Sequence, residues 1–149
     1  MISLDLLQDT REQRPFRFNR IDPRPKIESV TLPTGDYTVK PFESEVIIER
    51  KSLRDLFGSL GRDRQRFEKV MERLAEFQYA AIVVEADWQT ILRNPPRFTE
   101  MNPKSIFATV VAWEQRYGVS FWMCPNRAFA EKLTYRILER YHKDHFKSE

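Results

Sequence analysis

The chain has a single cysteine, Cys124, which excludes an intrachain disulfide and any Cys-cluster zinc site. In an apolar, strand-like run it reads as core filler. Histidine is nearly as scarce: His142 and His145 lie in a charged tail beside Lys143 and Lys147 and read as surface residues, not ligands. No apolar run is long enough to cross a membrane, and the N-terminus lacks a signal-peptide layout. A membrane is therefore not an expected partner, and a reducing, cytoplasmic setting is expected (nucleoid-associated if bacterial). There is no internal repeat and no interior linker, so the 149 residues are expected to form one domain, 1–149, with a core of its own. Hydrophobic residues at 41% and charged residues at 32% exclude a disordered chain. A net charge of +3 permits contact with nucleic acid without establishing it.

What is present is an order of short elements. Ile2 to Gln8 alternates as a strand and ends at Asp9-Thr10-Arg11-Glu12. From there to Lys26, arginines and prolines recur as a loop, with the arginines readable as solvated surface or as phosphate contacts. Ile27–Leu32 is a further strand. Two hairpin arms follow, 36–40 and 45–51, around Pro41-Phe42-Glu43-Ser44. Ser52 opens a helix to about Leu60, and Gly58 and Gly61 bracket a break before an amphipathic helix over 63–77. Tyr79–Val84 reads as a buried strand, Trp88–Arg93 as a short helix capped by Asp87, and Asn102-Pro103 as a helix start. That helix is expected to bury Ile106, Phe107, Val110, Val111 and Trp113. A strand over Val119–Cys124 and a last helix from Asn126 to about Tyr141 complete the order. The alternation implies an α/β sandwich, a mixed sheet with helices on both faces.

Two acids and a lysine stand out within the hairpin. If its loop is the four residues 41–44, Lys40 pairs with Glu45 and Asp36 falls opposite Glu49. Cβ atoms so paired lie roughly 4.5–5.5 Å apart. Two such carboxylates repel unless a proton or cation lies between them, and a divalent cation fits, with Mg–O distances of about 2.0–2.1 Å. Lys51 shares the face of Glu49, and Ile48 and Val46 take the other. Asp55 stands at capping-box spacing from Ser52 and reads first as a helix cap.

Asp36 followed by Glu49-x-Lys51 is the arrangement of the PD-(D/E)xK nucleases. The wider sequence resembles the XPF-type structure-specific endonucleases. Gly35-Asp36-Tyr37, Glu49-Arg50-Lys51 with Asp55, and the earlier Asp9-Thr10-Arg11-Glu12 carry the likeness, which extends from Val30-Thr31-Leu32 to Trp122-Met123-Cys124-Pro125. It implies a restriction-endonuclease-like three-layer sandwich that hydrolyses branched DNA (flap, fork or related structures) with Mg²⁺ or Mn²⁺, in repair or recombination. In that reading Asp36 and Glu49 hold the metal with the backbone carbonyl of Arg50. Lys51 orients water or offsets charge, and Asp9 completes the acidic cluster. Glu12 and Asp55 support the site. Arg11, Arg14, Arg50, Arg62 and Arg64 are the candidates for DNA contact. Gln65 with Arg62 matches a family pair at a spacing one residue short, and Glu85 is an outer candidate.

Family members commonly carry a tandem helix-hairpin-helix module. The four glycines here include no G-x-G arrangement, so grip on DNA is expected from a second copy or a separate DNA-binding partner. A homodimer or heterodimer would form through C-terminal helices, for which Phe129, Leu133, Ile137 and Tyr141 are candidates unless they pack on the sheet. Two other readings stand beside the endonuclease: a non-catalytic DNA-binding or scaffold subunit, and a same-fold nuclease with another substrate, such as a junction resolvase.

Overall fold

The computed structural model describes residues 2–97 and 99–146. The strands are β1 (Asp5–Asp9), β2 (Lys26–Val30), β3 (Tyr37–Val39), β4 (Val46–Lys51), β5 (Tyr79–Val84) and β6 (Ser120–Met123). The helices are α1 (Leu53–Leu60), α2 (Arg64–Leu74), α3 (Trp88–Arg93), α4 (Pro103–Tyr117) and α5 (Arg127–His145). The strands form one mixed sheet in the order β2-β1-β3-β4-β5-β6. β3 is antiparallel to both its neighbours, and the other pairs are parallel. No helix among the described residues is long and apolar enough to cross a membrane.

Period-two alternation sorts the core to two sides of this sheet. Leu7, Ile47, Ala80, Ile82 and Val84 face α1, α2, α3 and α4. Leu6, Tyr37, Val39, Val46, Ile48, Ala81 and Val83 face α5 and the aromatic side chains Phe16 and Phe18. Helices thus cover both faces, as the order of elements requires. Cys124 is fully buried on the α5 side. The caps are local: Ser52, Asp87, Asn102 and Asn126 each accept a backbone N–H from the first turn of the helix that follows.

The hairpin register matches the count from the sequence. Tyr37 pairs with Ile48, the same register that sets Lys40 against Glu45 and Asp36 against Glu49. The regular ladder is shorter than expected, because the chain bends at Asp36, whose N–H bonds to the Ile48 carbonyl (2.8 Å). Other expectations shift at element ends. The first strand starts at Asp5, leaving Ile2 77% exposed, and the last helix continues to His145. Phe107 and Val111 on α4 are not buried: the helix turns Ile106, Val110 and Trp113 inward and leaves those two outside. Asp55 is not the cap of α1; its N–H is the donor that Ser52 Oγ accepts, and its side chain is exposed.

Gly35 sets the approach to Asp36. Its φ of +80° lies in the left-handed region, and a Cβ built there would fall 2.2 Å from Ile47 Cγ1. Gly35→Ala combines backbone strain with overpacking and is expected to cost about 2–4 kcal/mol. Urea unfolding of the two proteins measures this, and a loss below about 0.5 kcal/mol would show that the turn relaxes freely.

Candidate active site

Strand β4 presents different chemistry on its two faces. Glu49 and Lys51 continue the Ile47 side, toward α1 and α2, and Asp36 across the hairpin shares that side. Lys51 Nζ lies 3.4 Å from Glu49 Oε2 and 4.4 Å from the centroid of the Phe67 ring on α2. The ammonium is thereby held in place by a carboxylate and an aromatic face. Both side chains are largely buried, at 14% exposure for Glu49 and 13% for Lys51. Asp36 Oδ2 accepts the Arg50 backbone N–H (2.7 Å). Burial, and then the charge of Glu49, push the Asp36 carboxyl well above its ordinary range, against the pull of that hydrogen bond. Burial likewise raises Glu49, with Lys51 offsetting part of the effect.

On the opposite face, Arg50 is the centre of a buried chain of charges. Its guanidinium donates to both oxygens of Glu12 (2.7 Å each) and lies 3.2 Å from Glu85 Oε2. Arg127, at the start of α5, binds the same Glu85 oxygen (2.7 Å) and donates to the carbonyls of Arg14 (2.5 Å) and Pro15 (3.1 Å). It also lies over the Phe16 ring (4.7 Å to the centroid). The proline- and arginine-rich loop is thus tied down rather than free. Tyr37 Oη accepts the Phe16 N–H (2.8 Å) and its ring stacks on Phe16. Glu131 of α5 accepts the N–H groups of Arg17 and Phe18.

Asp9 lies beside Asp36, its N–H donating to the Asp36 carbonyl (2.9 Å). Its carboxylate is committed elsewhere. Oδ1 accepts from Leu32 N–H (2.9 Å) and Arg11 Nη2 (3.0 Å), and Oδ2 accepts from Arg11 Nε (2.9 Å). Burial acts to raise this carboxyl, but Arg11 and the backbone donors outweigh it and hold it below 3.8. Arg11 remains 65% exposed and feels the charges of Asp36 and Glu49, so it stands next to the acidic pair as a cation open to solvent.

The remaining predicted residues separate clearly. Arg14 is exposed and contributes its carbonyl to the Arg127 clasp. The Arg50 guanidinium is only 8% exposed and fully paired, which makes it a structural cation rather than a surface contact. Arg64 is turned inward, donating to Leu60 O (3.1 Å) and Thr109 Oγ1 (2.9 Å) over Trp113. Arg62 is 85% exposed, with Asp63 at 3.7 Å, and Gln65 is exposed on the first turn of α2. On α5, Phe129 is half exposed, Leu133 and Ile137 lie partly against the core, and Tyr141 is buried, donating to Glu45 (2.7 Å). Sequence reasoning missed Arg127 and Glu131. Their partners lie 42 and more than 110 residues away, so no local pattern could have found them.

Among the described residues, no group of three or more His, Cys, Asp or Glu side chains is placed to hold a metal ion. The available set is two carboxylates, Asp36 and Glu49, with the Arg50 carbonyl at the same strand. These are hard oxygen donors, and burial with mutual repulsion disfavours their charged forms, which a divalent cation would relieve. Such a set fits Mg²⁺ or Mn²⁺, which take one or two protein carboxylates and complete their shell with water and substrate phosphate.

The sequence family described as the ERCC4 domain matches residues 8–137. Two solved structures share the fold. XPF from Aeropyrum pernix has a TM-score of 0.71 at 23% identity, covering 94% of this chain and 67% of that one. XPF from Aeropyrum pernix in complex with DNA has a TM-score of 0.72 at 22% identity, covering 97% and 68%. The sequence matches no curated protein.

Two stability measurements follow from the geometry. Arg50→Met leaves Glu12 buried without its cation, with an expected cost of about 3–5 kcal/mol; a loss under about 1 kcal/mol in denaturant would show that the chain of charges is dispensable. Asp9→Asn is expected to cost about 2 kcal/mol at neutral pH. The Asp9 carboxyl titrates lower in the folded protein than in the unfolded chain, so its contribution is complete above 3.8 and fades as pH falls through the depressed folded value. The stabilities of wild type and variant should converge below that window, and a gap that stays constant with pH would contradict this.

Proposed function

The chain belongs to the ERCC4 domain family of XPF-type nucleases, and from that premise we propose that it is a metal-dependent endonuclease acting on branched DNA. The observation that carries the reading is the largely buried acidic pair, Asp36 and Glu49, on the same face of the sheet as a lysine held in place. Asp36, Glu49 and the Arg50 carbonyl would hold Mg²⁺ or Mn²⁺. The chemistry such a cation supplies when bound is polarisation of the phosphate and a lowered pKa for water. Lys51, fixed between Glu49 and Phe67, offsets charge that develops on the phosphate oxygens or orients the attacking water. Arg11, anchored on Asp9 and mostly exposed, is placed to draw a DNA phosphate toward the acids. Asp9 acts through Arg11 rather than as a ligand. Glu12, Arg50, Glu85 and Arg127 keep β4 and the loop before β2 in register.

DNA as the partner is supported by the family and by a solved relative that holds DNA. A second copy or a partner subunit would supply additional grip. Of the four α5 residues considered for pairing, Phe129 is the one left well exposed. Roles in repair or recombination and an intracellular setting belong to the same proposal.

The test is cleavage of labelled fork, flap, junction and linear DNA with Mg²⁺ or with EDTA. Metal-dependent cutting of a branched substrate is expected. Asp36→Asn should lower it by about 10³-fold or more, and Lys51→Ala by about 10²–10³-fold. Binding without cutting on every substrate would favour the non-catalytic subunit instead. Cutting confined to four-way junctions would favour the resolvase reading. If Lys51→Ala cut at the wild-type rate, the role given to Lys51 would be wrong.

A further inference from the structure

On the side of the sheet that carries Glu49 and Lys51, a cleft of about 870 Å³ opens between the turn joining α1 to α2 and the loop joining α3 to α4. Four guanidinium groups line it: Arg54, Arg62, Arg64 and Arg97. Arg64 belongs to its wall, for the reasons given above. The other three are exposed. Among the described residues Arg54 and Arg97 have no hydrogen bond or ion-pair partner, and Arg62 has only its loose approach to Asp63, which also pairs with Arg66 (3.2 Å). Glu100 is the one acidic residue in the lining. Two unpaired cations and a loosely paired third around one concave surface are costly to leave facing each other and suited to a polyanion.

The cleft is also shaped by its backbone. A Cβ at Gly61 would fall 2.7 Å from the Phe57 carbonyl, so glycine there lets the chain turn tightly off the end of α1, where Met101 of the α3–α4 loop packs against it. Pro95 and Pro96 precede Arg97 and limit the freedom of its loop. Arg54 sits on the first turn of α1, three residues past Lys51, and Arg62 lies just beyond the other end of that helix. The eight residue steps from one to the other span roughly 12 Å at the helical rise, equal to three or four phosphates of one strand at about 3.4 Å per step. The described lining has one aromatic residue, Phe57, and it is buried (3% exposed). Among the described residues unpaired bases would find no ring to stack on, and stacking is what single-strand grooves rely on. A double-stranded backbone needs only the charges.

We propose that this cleft grips the backbone of a duplex DNA arm leading away from the Asp36–Glu49 site, with Arg54 and Arg97 as phosphate contacts that join Arg62. The inference rests on the nuclease reading of that site, but its test does not depend on cutting. Binding of a labelled 30-base-pair duplex and of the matching single strand is measured in EDTA, by anisotropy, over a range of salt concentrations. Arg54→Ala/Arg97→Ala is expected to weaken duplex binding on the order of tenfold and to lower the salt slope by about 1.8, that is, two phosphate contacts at about 0.9 each. Binding of the single strand should change little. Arg54→Lys/Arg97→Lys should restore the slope, since a phosphate contact needs the charge and not the fork. Arg140→Ala, which removes an exposed arginine of α5, should leave the slope where it is.

An unchanged slope in the double alanine variant would overturn the proposal, whether or not the wild type cuts DNA. So would an equal loss for the single strand or for Arg140→Ala, and so would a wild type that binds no duplex at all. Normal duplex binding through the cleft by a protein that cuts nothing would leave the proposal standing and sink the nuclease reading alone.

Discussion

Everything at the candidate site depends on how Arg50 is held. Its side chain is drawn to one face of β4 by Glu12 and Glu85, and its backbone N–H holds Asp36 at the hairpin bend. Because strand side chains alternate, fixing Arg50 on the α5 side fixes Glu49 and Lys51 on the other. A slip of one residue would exchange the cation with the acids and destroy both arrangements. The chain of Glu12, Arg50, Glu85 and Arg127 balances two negative against two positive charges. Such burial is a weak source of net stability, since desolvation consumes most of the attraction. Its effect is positional: it ties the loop before β2, the end of β5 and the start of α5 to one point on the central strand.

The acidic pair is the counterpart of this arrangement. The protein leaves Asp36 and Glu49 close together, largely buried and only partly compensated, by one backbone N–H and one lysine. Asp9 nearby is fully compensated by Arg11 and by Leu32 N–H. Three neighbouring acids are thus divided into a pair that gains from a cation and a third that anchors an arginine. Under the proposed function, that division would leave two carboxylates to hold a cation.

Much of this was legible in the sequence. The hairpin count worked because strand periodicity is two and the loop length is fixed by its own residues, so Tyr37 had to meet Ile48 once the turn was placed. The helix starts were legible because each cap is a single residue acting on the first turn after it. What escaped depends on distance along the chain. Asp9 could be placed beside Asp36, but not the direction of its carboxylate, which Leu32 decides from 23 residues away. Arg64 looked like a surface cation until Thr109 and Trp113 claimed it from α4. Phe107 and Val111 fit a helical apolar stripe as well as Ile106 and Val110 do, and only the position of the sheet chooses between them.

The central claim is that Asp36 and Glu49 form one cation site, and paramagnetic broadening tests it without reference to activity. Substoichiometric Mn²⁺ added to ¹⁵N-labelled protein should erase the amide signals of Gly35–Tyr37 and Glu49–Lys51 first, while those around Asp55 persist. Losses that begin at Asp55, Asp63 or the end of α5, or no selective loss at all, would contradict the account.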